Sequence, residues 1–101
     1  MTHLIPPPHC GDMAELRGQI DDLDEMLVEL LATRAGYIDR AIELKRLNGW
    51  PARIPTRVDE VIENARAKAG EAGLDPDLIE TLWRQLVEWS IAREARVIHE
   101  T

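Results

Sequence analysis

Arg34 and Lys45 lie eleven residues apart in a stretch without proline between Pro8 and Pro51. On an ideal helix, eleven residues return almost to the starting azimuth with a rise of about 16 Å. Two long cationic side chains reaching toward each other over that span can hold a small dianion between them. A cation withdrawn from water also requires an acidic or anionic partner. Arg17 shares their stripe, which runs Arg17, Ile20, Asp24, Leu27, Leu31, Arg34, Ile38, Ala41, Lys45 in steps of three and four. It precedes Arg34 by about 25 Å of helix and cannot reach the same ligand within one copy. Two copies with this segment antiparallel would bring Arg17 of one beside Arg34 of the other and create two equivalent sites. A plainer reading stands beside this one. A cation on a helical seam can set register, with Asp24 or a glutamate of a second chain as its counter-ion, and Arg17 can be a solvated first-turn residue.

A second anomaly lies near the other end. Trp83, Val87, Ser90, Glu94 and Ile98 share one side of a helical pattern, and Ser90 and Glu94 interrupt its apolar run. A buried carboxylate resists ionisation unless a cation pairs with it. The alternative is a helix end turned toward solvent, with Glu94 exposed. His3, His9 and His99 lie near the two ends and show no metal-ligand spacing, so no metal site is expected. Cys10 is the only cysteine, which excludes an intrachain disulfide and fits a reducing compartment.

The elements that must position these groups read as three helices. Residues 1–11, with Pro6-Pro7-Pro8 and Gly11, form an extended or flexible tail, and residues 12–101 form the domain. Asp12 and Glu15 have the spacing of a capping box, and Asn48-Gly49-Trp50-Pro51 is a stop signal, so the first helix spans about residues 13–47. Its length, about 50 Å, exceeds the core of a compact small domain. Leu16, Ile20, Leu23, Leu27, Leu30, Tyr37, Ala41 and Leu44 follow a heptad seam on which Arg34 also falls, so the helix needs a partner along most of its length. Pro55 opens a second helix bounded by Gly70 and Gly73. Asp75-Pro76 opens a third that extends to about residue 99. The expected fold is all-α, three helices per chain with a very long first helix, in an intertwined homodimer.

Composition narrows the partners. The 101 residues are 45% apolar and 31% charged, with a net charge of −7, which disfavours nucleic acid and anionic membranes. A small anionic ligand remains compatible, because a pocket can be locally basic. No apolar run approaches the length of a membrane span, and no basic-then-apolar leader is read, so the cytoplasm is the expected location.

Taken in order, Leu16-Arg17-x-x-Ile20-Asp21-x-Leu23-Asp24, Leu30-Leu31-Ala32-x-Arg34, Leu44-Lys45, Arg57 and Gly73-Leu74-Asp75 resemble the all-helical chorismate mutase family over residues 13–98. The resemblance implies an interlocked homodimer with two active sites, no metal and no cofactor. It implies a Claisen rearrangement of chorismate to prephenate. It assigns Arg17, from the partner chain, and Arg34 to the substrate carboxylates, and Lys45 to a carboxylate and the breaking ether oxygen. Ser90 helps hold a carboxylate, and Arg57 lines the site. Such a reaction needs no nucleophile. It needs a flexible dianion held in its compact conformer and positive charge where the ether oxygen gains density.

Three positions depart from the family pattern. Glu94 stands where glutamine is frequent. Ionised, it would repel a developing oxyanion, so it helps when protonated or by positioning Lys45, and better activity at mildly acidic pH is expected. Ile54 and Val58 stand where mutases commonly carry acidic residues beside the substrate hydroxyl. The Ile54–Val58 segment and the Trp89 region resemble the related isochorismate pyruvate lyases, which yield salicylate and pyruvate. A non-enzymatic helical dimerisation module is the third alternative.

Overall fold

The computed structural model describes residues 4–98, and among them every regular element is helical. They are a 3-10 turn Pro7–His9, then α1 Met13–Asn48, α2 Pro55–Glu71 and α3 Pro76–Ala95. The chain divides within α1 into two compact units, residues 1–36 and 37–101.

Local chemistry explains the boundaries. The Asp12 carboxylate accepts from the Glu15 N–H at 2.8 Å, and Glu15 Oε1 accepts from the Gly11 N–H at 3.0 Å, so the capping box forms one residue wider than its simplest version. The first helix ends in a Schellman motif: Gly49 adopts φ 71°, and the Trp50 N–H donates to the Lys45 carbonyl at 2.9 Å. Pro55 needs no N–H donor at the first position of α2. Gly73, at φ 74°, closes that helix with the Leu74 N–H on the Ala69 carbonyl at 2.8 Å. Asp75 caps α3 through the Asp77 N–H at 2.9 Å. The third helix is shorter than its pattern indicates. The helix ends at Ala95, and beyond it the Glu94 carbonyl accepts from both the Val97 N–H, at 3.1 Å in 3-10 spacing, and the Ile98 N–H, at 2.8 Å in α spacing. His99 lies outside the described residues.

In the first unit, residues 4–10, where an extended or flexible tail is expected, carry the 3-10 turn. The Ile5 N–H donates to Gln19 Oε1 at 2.7 Å. Leu4, Ile5 and Cys10 line a cavity of about 170 Å³ with Leu16, Ile20 and Leu23. Beyond it, the heptad seam is uncovered within the single chain: Leu27 is 55% exposed and Leu30 65%.

The second unit has the buried core, made of Ile42, Ala52, Ile62, Ala65, Ala69, Val87 and Ile98. Ala65 and Ala69 stand one turn apart on α2, and side chains this small permit close approach where α2 and α3 pack together. Ile62, 2% exposed, is among the best-covered large residues. Truncating it removes transfer energy and leaves a cavity, so Ile62→Ala should lower unfolding stability by about 2–4 kcal/mol, readable by urea denaturation.

Candidate active site

The second unit brings Lys45 of α1 against Glu94 of α3. Lys45 Nζ lies 2.9 Å from Glu94 Oε1 and donates to the Ala52 carbonyl at 2.7 Å. The contact is sheltered, with the side chains 17% and 5% exposed. Of the two readings open for Glu94, the buried one therefore holds. Burying a lone carboxylate or ammonium costs several kcal/mol, and this pairing offsets that cost for both. A lysine ammonium has three donors, so Ala52 and Glu94 leave one for a ligand oxygen. The carboxylate also diminishes the positive field of Lys45, which makes position as well as charge part of its effect.

Ser90, one turn before Glu94, is buried too, and its hydroxyl donates to the Leu86 carbonyl at 2.8 Å. Arg57 is exposed in the first turn of α2, where its guanidinium pairs with Glu60. It lines an α2–α3 groove of about 380 Å³ together with Val61, Lys68, Ile79 and Trp83. Ile54 and Val58 are both half-buried around the start of α2. In the first unit Arg34 is half-buried and Arg17 is exposed. Thus Lys45 and Glu94 meet directly, and Ser90 shares the helix that supplies Glu94.

Three contributors escape a reading by periodicity. The Ala52 carbonyl belongs to the connection after α1, and its residue type carries no signal for this role. Arg53 holds Glu88 through two bonds of 2.9 and 2.6 Å. Arg93 holds Asp39 through two of 2.6 and 3.1 Å, with its guanidinium 5.5 Å from the Trp89 ring centroid. The partners are 35 and 54 residues apart in sequence, so helical spacing cannot pair them.

Those arginines act on the carboxylates they hold. The hydrogen bonds from Arg93 hold the Asp39 carboxyl below the usual carboxylate range, against partial desolvation and with added Coulomb attraction. Arg53 lowers Glu88 in the same way. Glu80 is lowered first by its bond from Arg84 and further by Arg66. A carboxyl depressed on folding contributes stability above its unfolded value and loses it as pH falls through the folded one. The thermal midpoint should therefore drop as pH falls below the ordinary carboxylate range, about 4–4.5, and Asp39→Asn combined with Glu88→Gln should flatten that drop.

Among the described residues, no group of three His, Cys, Asp or Glu side chains is placed to hold a metal ion, and no helix is long and apolar enough to cross a membrane. The family model described as "Chorismate mutase type II" matches residues 16–95. The chain is 31% identical over 96 residues to an isochorismate pyruvate lyase of Pseudomonas aeruginosa, covering 94% of this chain and 93% of that protein. It is 26% identical over 89 residues to a chorismate mutase of Methanocaldococcus jannaschii, covering 88% and 90%. It is 34% identical over 84 residues to a T-protein of Enterobacter agglomerans, covering 83% of this chain and 22% of the T-protein, so it spans about a fifth of that relative's length.

Proposed function

The chain belongs to the type II chorismate mutase family, and from that premise we propose that it rearranges chorismate to prephenate in a cationic pocket shared by two copies. The sheltered Lys45 ammonium, held by Ala52 and Glu94, is the observation that carries this reading. Arg34 and the second copy's Arg17 bind the two substrate carboxylates. Arginine suits this task because its planar fork meets both carboxylate oxygens. Lys45 supplies a point charge to the ether oxygen as the C–O bond lengthens, and Ser90 helps hold a carboxylate. Arg57 lines the site. The rearrangement redistributes electrons within one molecule, so it calls for no cofactor. The two-copy arrangement is supported by the uncovered seam of α1, whose exposed leucines need a partner face to leave water. The expected location is the cytoplasm.

A second reading, isochorismate pyruvate lyase, is favoured by Ile54 and Val58. Neither side chain can accept a hydrogen bond from a substrate hydroxyl at the positions where mutases commonly carry carboxylates. One preparation assayed with chorismate and with isochorismate separates the two. Prephenate formation supports the mutase, and salicylate fluorescence supports the lyase. Turnover of neither substrate leaves the dimerisation module.

A further inference from the structure

Lys45 has two acceptors, and each stands next to a clamped arginine. Arg93 precedes Glu94 in α3 and holds Asp39 of α1 through both guanidinium arms. Arg53 follows Ala52 and holds Glu88 of α3 through both arms. We propose that Asp39–Arg93 and Arg53–Glu88 are positioning pairs that fix the Lys45 ammonium for its substrate. Geometry explains why two are needed. Consecutive helical residues point about 100° apart, so the Arg93 and Glu94 contacts leave α3 in different directions. Asp39 and Lys45, six residues apart, differ by about 120° around α1. Contacts at two azimuths on both helices fix rotation about the helix axis, which the Lys45–Glu94 contact alone leaves free. The Arg53 pair does the same for the connection, since Arg53 follows directly on Ala52 and ties it to α3.

Lysine makes such support necessary. Its ammonium sits on four flexible carbons and lacks the planar fork that orients arginine. Exposed ion pairs add little to stability, whereas a misplacement of about 1 Å at a reacting centre can cost a hundredfold in rate. The Trp89 ring beside Arg93 limits that guanidinium's freedom on one side. The Arg66–Glu80 pair provides an internal control: it joins α2 to α3 at 2.9 Å and touches neither Lys45 acceptor.

The kinetic part of this inference rests on the proposed role of Lys45, so the experiment reads the ammonium directly as well. The Nζ resonance of Lys45 would be recorded by ¹H–¹⁵N NMR of the full chain, with Lys45→Arg providing the assignment. The wild-type signal should be resolved and protected from solvent exchange. Asp39→Asn and Glu88→Gln should each shift or broaden it, Asp39→Glu should retain it, and Glu80→Gln should leave it unchanged. In turnover, Asp39→Asn and Glu88→Gln should lower kcat about tenfold with KM within about twofold. An unprotected wild-type signal overturns the proposal, as does one unmoved by both clamp variants or moved equally by Glu80→Gln. Absence of turnover with a signal that responds as expected defeats the mutase reading and leaves the clamp standing.

Discussion

Lys45→Ala is expected to reduce kcat/KM by about 10²–10³, the usual consequence of removing one preorganised donor from a developing oxyanion. That loss corresponds to about 3–4 kcal/mol at the transition state. The same substitution leaves the buried Glu94 carboxylate without its ammonium. Stranding a buried charge costs about 3–5 kcal/mol in a fully buried pair, and the partial exposure of Lys45 places the expected stability loss toward the lower end. A small domain has about 5–15 kcal/mol in total, so circular dichroism must accompany the kinetics. Glu94→Gln separates the two contributions. It keeps an acceptor for Lys45 and removes the carboxylate charge. If Lys45→Ala folds and turns over at the wild-type rate, Lys45 has no part in the chemistry.

Mixing two inactive variants should restore activity. If Arg17 serves a site in the other copy, Arg17→Ala and Lys45→Ala homodimers each lack a group at both sites. A mixed dimer carries both lesions in one site and neither in the other. Random assembly makes half the dimers mixed, with one of two sites intact, so co-refolding should return about a quarter of wild-type activity. From parents reduced about a hundredfold, that is a gain of more than tenfold, measurable in one assay. Mixtures that stay at the parental level would show that both residues act within one copy or that the copies do not exchange.

Both expectations draw on features of unequal legibility. The helix starts are local, and their signals act where they are written: Asp12 with Glu15, Pro55, and Asp75 with Pro76. Gly49 and Gly73 mark ends for the same reason, since each takes a positive φ that other residues resist. The end of α3 carries no glycine or proline to mark it, and the helix stops at Ala95, short of the apolar pattern. Periodicity placed Ser90 and Glu94 on one face but left open whether that face was wet, because the deciding partner, Lys45, belongs to another helix. The two arginine clamps were hidden for a related reason. A helical repeat identifies the side of a helix on which a residue stands, whereas the identity of the facing element depends on the connections between helices. The heptad seam was legible as a pattern, and its exposure in the single chain gives that pattern its physical meaning.

Lys45 grips the chain that follows it twice. Its carbonyl accepts from Trp50 and its ammonium donates to Ala52, so main chain and side chain of one residue measure out the same short connection. Surface connections ordinarily absorb an added or deleted residue at little thermodynamic expense. Here the spacing between positions 50 and 52 works as a ruler: lengthening it by one residue would carry the carbonyl away from the ammonium while leaving the helix terminus intact. Variation in loop length at this point would therefore retune the cation before it disturbed the fold.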